Sequence, residues 1–177
     1  DISIWTATAT KVEDPDDVKG YRTVKLLEEL LGNMAEFEAD FRIVDPGQGL
    51  DAEGMAEWYS GGDIVICASH SEGTPNIMLE GMGCGCVPVT TPVGNVPEII
   101  RHKQNGWIVD ENNVRGFLAG LRYVRENLLK MRQKAVEDIK DWDWSKRSRW
   151  FYQLFRRIMA GKPIRPNSYL HESPDDE

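Results

Sequence analysis

Ile64-Val65-Ile66-Cys67-Ala68-Ser69-His70-Ser71-Glu72-Gly73-Thr74-Pro75-Asn76-Ile77-Met78-Leu79-Glu80 is the stretch on which the fold turns. Its first five residues form a continuous apolar run, the pattern of a central parallel strand covered on both faces. A polar loop with one glycine follows, and Pro75 is placed for the first turn of a helix running to about Gly83. The same strand–loop–helix unit recurs on both sides. Upstream, residues 2–8 alternate and are rich in β-formers, which predicts a strand. Val24, Leu27, Leu30 and Leu31 recur at helical spacing between Tyr21 and about Ala35. Phe41–Val44 reads as a short strand stopped by Asp45-Pro46-Gly47. Asp51 can cap a helix carrying Met55, Trp58 and Tyr59, closed by Gly61-Gly62. Downstream, Val87–Thr90 reads as a strand, Asn95 as the cap of a brief helix 96–101, and Gly106–Val109 as another strand. A helix then starts at Asn112 or Asn113 and runs to about Leu128, with a further helical segment to Lys140. Ser145 caps a last helix in which Trp150, Phe151, Leu154, Phe155 and Ile158 mark one face. Strands alternating with helices predict a doubly wound α/β domain with a mostly parallel sheet. Ligands of such sheets bind outside the carboxyl ends of the strands, which directs attention to loops 6–20, 45–51, 69–76 and 91–95.

A chain of 177 residues is long enough for one full core without disulfides or metal. We expect a domain over 1–160 and a mobile tail over 161–177, which carries three prolines and an acidic end. A net charge of −8 argues against a general nucleic-acid binder. No apolar run reaches the roughly 18 residues of a membrane span. The charge is unevenly spread: residues 1–60 hold 14 acids and 5 bases, whereas 121–160 hold 5 acids and 11 bases. The late bases coincide with helical periodicity and so form a face. Cys67 lies in an apolar run and reads as a small buried residue. Cys84 and Cys86 are too close in sequence for a comfortable disulfide, and no cluster of His or Cys suggests a metal. This usage suits a reducing, cytoplasmic interior.

The loop after the central strand carries the chemistry. Gly73 lets the backbone approach a ligand, and Thr74 can cap the helix that follows. The first-turn amides, including those of Asn76 and Ile77, have no partner inside the helix, and such an end attracts phosphate. Glu80 lies four residues beyond Asn76, one turn along the same face. A carboxylate there suits a cis-diol such as ribose. Glu72, at the start of the loop, can meet a second hydroxylated group beyond the phosphates. The order is acid, amide nest, acid: a sugar, a diphosphate and a nucleoside ribose. The bland alternative is a solvated loop Glu and a Glu on the wet face of a helix.

The residues Glu72–Gly85, followed by Val87-Pro88-Val89 and Gly94-Asn95-Val96-Pro97-Glu98-Ile99-Ile100, resemble the retaining group 1 glycosyltransferases. Their donor-binding motif is a Glu, seven residues and a second Glu, then a small-residue turn and a Pro-Val strand. The resemblance extends to Asn105–Val109, to Trp142-Asp143-Trp144-Ser145, to Glu57–Asp63 and to Lys19-Gly20, and so covers roughly 19–160. It implies the GT-B architecture, in which two Rossmann-like domains face each other across a cleft, and this chain is similar to the C-terminal, donor-binding one. By that likeness Glu72 meets the transferred sugar together with Gly73 and Thr74. Asn76 and Ile77 hold the diphosphate, Lys19 neutralises it, and Glu80 meets the ribose. The family's second basic anchor, an Arg after the first strand, has no clear counterpart, and Lys11 is the available substitute. No cofactor and no metal are expected, because lysine and helix amides neutralise the charge. The resemblance also implies hexosyl transfer with retention to a glycan or lipid-linked acceptor, and an N-terminal partner domain. No catalytic residue is assigned within this domain.

His70 reads as an exposed loop histidine, His102 and His171 receive no role, and Trp58 and Trp107 read as packing residues. The basic, aromatic helix 145–160 has two readings. It either packs against the partner domain or makes peripheral contact with the inner face of a membrane. Two rivals to the transferase reading stand: a sugar phosphorylase or epimerase on the same scaffold, and a non-catalytic nucleotide or sugar-binding module. The abrupt strand at Asp1 reads as the first strand of a separated domain, inactive alone.

Overall fold

The computed structural model describes residues 2–7, 16–34, 39–44, 49–110 and 113–163. Among these residues five strands, β1 (Ile2–Ala7), β2 (Ala39–Val44), β3 (Ile64–Cys67), β4 (Val87–Thr90) and β5 (Trp107–Ile108), form one sheet in the order β2-β1-β3-β4-β5. Every pairing is parallel, with Ile4 opposite Ile64 where β1 meets β3 and Ile66 opposite Val89 where β3 meets β4. The helices are α1 (Tyr21–Gly32), α2 (Ala52–Ser60), α3 (Asn76–Gly83), α4 (Val96–Ile99), α5 (Val114–Ile139) and α6 (Trp144–Met159). The α/β reading with a parallel sheet therefore holds, and β3 is the central strand, buried at all four residues.

The period-2 alternation of strand side chains sorts the core into two layers. Ile4, Ile64, Ile66, Val87 and Val89 face one way and pack against Val24, Leu27 and Leu31 of α1 and Phe117, Leu121 and Val124 of α5. Trp5 and Val65 face the other way, with Tyr59 and Cys86 and with Met55, Trp58 and Ile77 from α2 and α3. Close approach on that side depends on small residues. A Cβ on Gly62 would stand 1.8 Å from the Trp5 ring, and one on Gly81 would stand 2.8 Å from Val65 Cγ1.

Local signals explain most helix ends. Asp51 caps α2 by accepting the Gly54 amide at 2.9 Å, as its position predicts. Asn113 does the same for the Gly116 amide ahead of α5. Four readings need correction. The helix after Asn113 does not break near Leu128 but continues unbroken to Ile139. No Gly or Pro interrupts it there, and Phe117, Leu121, Val124, Met131 and Ala135 keep one buried stripe throughout. The cap of α6 is Asp143, whose carboxylate accepts the Ser145 amide at 2.7 Å, and Ser145 lies inside the helix. Thr74 does not cap α3: Pro75 holds that position without a side-chain bond, and the Thr74 hydroxyl accepts from Asn95 Nδ2 at 2.9 Å. Asn95, engaged there, gives α4 no side-chain cap.

The chain divides into two compact units, Asp1–Ile139 and Lys140–Glu177. The first holds the sheet. In the second, a 3₁₀ turn (Lys140–Trp142) precedes α6, and Arg147 stacks over Trp142 at 3.7 Å. Residues 164–177, most of the stretch read as a tail, lie outside the described residues, as does His171. Among the described residues no helix is long and apolar enough to cross a membrane.

Candidate functional site

In the order β2-β1-β3-β4-β5, chain connections leave β1 and β3 in opposite directions, so the crevice beyond their carboxyl ends is the switch point where such sheets bind ligands. A cavity of about 410 Å³ lies there, floored by Thr6 of β1 and Ile66 and Cys67 of β3. Lys19, Glu72, Thr74, Asn76, Ile77 and Glu80 all line it. Of the residues singled out by sequence, Gly73 does not line the cavity; it is exposed, and its carbonyl accepts the Asn95 amide at 3.0 Å. Lys11 lies outside the described residues.

The Lys19 loop is fastened to the end of β3. Asp17 takes a left-handed conformation (φ 46°), which Asp tolerates better than most residues, and its carboxylate accepts the Arg22 amide of α1 at 3.2 Å. Part of the acidic excess near the start of the chain thus serves as a helix cap. Gly20, at φ 70°, lies so close to β3 that a Cβ would stand 1.9 Å from the Ala68 carbonyl oxygen. The Val18 carbonyl accepts the amide of His70 at 2.7 Å. Those two contacts set the Lys19 stem beside the motif loop.

Glu72 is held from two sides. Its Oε1 lies 2.5 Å from Lys19 Nζ and accepts the Ser69 hydroxyl at 2.9 Å. Ser69 is buried, and its carbonyl in turn accepts the Thr91 hydroxyl at 2.6 Å. The loop after β4 braces the motif loop further through Asn95, and Gly94 permits the approach: at φ 53°, its Cβ would stand 1.9 Å from the Gly73 oxygen. Along α3, Glu80 follows Asn76 by one turn, about 6 Å of rise. Behind Glu80 stands Tyr59, fully buried, its hydroxyl without a hydrogen bond of normal geometry. Burial first, and the Glu80 carboxylate second, push the Tyr59 phenol above its ordinary range, so it stays a neutral donor facing that carboxylate.

The remaining candidates fall into structural places. Cys67, Cys84 and Cys86 are all free thiols. Burial raises the Cys67 thiol and pushes Cys86 up to about 12, which makes both poor nucleophiles. Cys86 donates to the Tyr59 carbonyl at 3.2 Å. Trp58 stacks on Trp5 with ring centroids 5.5 Å apart, and Trp107 lies 5.3 Å from Tyr123, so both are packing residues. His102, given no role by sequence, accepts the Ile108 amide on Nδ1 at 3.1 Å and packs 4.5 Å from Trp107. Ser69 and Tyr59 line the cavity although sequence reasoning did not place them at the site, and Asn95, expected to cap α4, braces the motif loop instead. The only signal for Ser69 was a small polar residue closing an apolar strand.

A model of the family described as glycosyl transferases group 1 matches residues 24–127, more than half of the chain. The chain belongs to this family. A D-inositol 3-phosphate glycosyltransferase of Thermobispora bispora is 25% identical to this chain over 121 residues, which cover 64% of this chain and 28% of that protein. N-acetyl-alpha-D-glucosaminyl L-malate synthase of Bacillus anthracis is 30% identical over 64 residues, covering 36% of this chain and 17% of that protein. The chain spans about a quarter of the length of the curated relatives it matches. Among solved structures, a glycosyltransferase from Rickettsia africae superposes with a TM-score of 0.65 at 17% identity, over 89% of this chain and 48% of that one. Sucrose-phosphate synthase from Thermosynechococcus elongatus gives 0.64 at 17% identity, over 89% and 39%. The fold is that of a Rossmann-like half of a GT-B glycosyltransferase.

Proposed function

We propose that this chain is the donor-binding half of a retaining glycosyltransferase and holds a nucleoside-diphosphate hexose at the β1/β3 switch point. The observation that carries the reading is the convergence of Lys19, Glu72, Asn76, Ile77 and Glu80 on one cavity, although 61 positions separate Lys19 from Glu80. In this reading the diphosphate meets Lys19 and the open amides of Asn76 and Ile77. The ribose meets Glu80, and the transferred sugar meets Glu72, Gly73 and Thr74, with Lys11 as a second diphosphate anchor. Neutralisation by lysine and helix amides lets the diphosphate depart without assigning that task to a metal ion. The leaving phosphate then deprotonates the acceptor on the same face, giving retention at the anomeric carbon. The domain supplies orientation and charge stabilisation, and a partner domain brings the glycan or lipid-linked acceptor. The chain alone is then inactive in transfer.

The stripe of exposed apolar side chains on α6, including Trp144 at 80% and Phe155 at 59%, is the surface this reading assigns to that partner domain. A second reading, contact with an anionic membrane surface, is favoured by the five basic and no acidic side chains between Trp144 and Met159. Three free cysteines suit a reducing compartment in either case. A thermal-shift panel of UDP-, GDP-, ADP- and dTDP-sugars tests the donor reading. At least one stabilises the chain; no shift with any at millimolar concentration would overturn it.

A further inference from the structure

Lys19 and Glu72, the cation assigned to the diphosphate and the carboxylate assigned to the sugar, are bonded to each other. Lys19 Nζ lies 2.5 Å from Glu72 Oε1. The side chains are 36% and 14% exposed, so the pair is partly shielded from water and only partly screened. A diphosphate carries more negative charge than one carboxylate and competes for the same ammonium. Seating it on Lys19 also brings like charge against Glu72. Both effects favour parting the pair. Ser69 does not take part in that competition: its hydroxyl is neutral and donates to Glu72 Oε1 at 2.9 Å from a buried position at the end of β3. It therefore keeps hold of Glu72 once Lys19 has turned away.

Resting on the donor reading above, we infer that the Lys19–Glu72 pair is an exchange latch. The diphosphate takes Lys19, and Glu72, steadied by Ser69, is released to accept a hydroxyl of the sugar. Recognition of the sugar is thereby made conditional on the diphosphate. A free hexose meets a carboxylate still engaged with Lys19, and a diphosphate without a sugar meets a lysine it must first draw from Glu72.

The second consequence gives an unusual test, because removing a site carboxylate should improve binding of one ligand. Calorimetric titration of the full chain and of Glu72→Gln with UDP, ADP and GDP, and with UDP-glucose, ADP-glucose and GDP-mannose, reads it directly. Glu72→Gln should bind the accepted nucleoside diphosphate about two- to fivefold more tightly, the range of a partly exposed ion pair. The ratio of sugar-nucleotide to diphosphate affinity should fall about tenfold or more, as for loss of a hydrogen bond to a charged group. Glu72→Ala should show the same two changes, which removes any new contact by the glutamine amide as the cause. Melting curves of both variants report whether the fold is kept. Diphosphate affinity that is unchanged or weaker in both variants overturns the latch and leaves the donor site standing. Failure of all six ligands to bind the unaltered chain overturns the donor reading, and the latch with it.

Discussion

Replacing Gly94 by Ala tests whether the loop after β4 sets the geometry of the motif loop. Gly94 sits at φ 53°, where an L-residue costs about 1–2 kcal/mol. The added Cβ would also stand 1.9 Å from the Gly73 oxygen and 2.7 Å from the Glu72 oxygen. Both are backbone atoms, so no side-chain rotation relieves the clash. Restoring ordinary contact moves the Gly73 carbonyl by roughly 1.5 Å and strains the 3.0 Å bond it accepts from the Asn95 amide, a loss of about 1 kcal/mol. The expected destabilisation is about 2–3 kcal/mol in urea unfolding. Glu72 and Thr74 flank the displaced carbonyl, and displacing them should weaken sugar-nucleotide binding about 10- to 100-fold in calorimetry. Gly85→Ala is the control. Gly85 also has positive φ, at 95°, but a Cβ there meets nothing within 4 Å, and the residue lies at the opposite, amino end of β4. It should lose about 1–2 kcal/mol and bind normally. If Gly94→Ala binds within twofold of the unaltered chain and is no less stable than Gly85→Ala, the bracing role assigned to this loop is wrong.

Glu80→Ala should weaken nucleotide binding by about 2–3 kcal/mol, or about 30- to 150-fold, and an unchanged calorimetric affinity would remove Glu80 from the site. Lys19→Ala should harm nucleoside diphosphates more than the free nucleoside; equal losses in the same titrations would contradict its role. Gly81→Ala forces a Cβ to 2.8 Å from Val65 Cγ1 and should cost about 1–3 kcal/mol in urea unfolding, whereas an unshifted midpoint would mean that α3 yields freely. Burial, then the neighbouring Lys103, hold the His102 imidazole below its usual value, and its neutral Nδ1 accepts the Ile108 amide. Its contribution is therefore present above the unfolded pKa of about 6.5 and is lost as pH falls through the lower folded value. His102→Gln should flatten that part of the stability–pH curve, and an identical slope would refute the assignment.

What was legible in the sequence was what short-range chemistry decides. The apolar run 64–68 announces a buried strand wherever it sits, and Asp51 caps α2 through an amide three residues away. The spacing of Glu72, Asn76, Ile77 and Glu80 placed four lining residues because one loop and one helix carry them all. Readings failed where a distant residue competes. Thr74 has the chemistry of a cap, yet Asn95, 21 positions on, claims its hydroxyl. The ion pair between Lys19 and Glu72 spans 53 positions and exists only because β1 lies beside β3. Tyr59 read as one residue of an apolar helix face; its position behind Glu80 depends on how α2 and α3 pack against the same sheet. The split read into α5 had another cause: its solvent-facing charges mask a buried stripe that periodicity alone sustains.

The most direct measurement is a ¹H–¹⁵N NMR titration of the labelled chain with UDP-glucose, ADP-glucose and GDP-mannose. At least one should bind at millimolar or tighter affinity and shift amides of Lys19 and Gly20, of residues 72–74, of Asn76 and Ile77 and of Gly94 and Asn95. No binding by any of the three, or shifts clustered away from the carboxyl ends of β1 and β3, would contradict a donor site at the switch point.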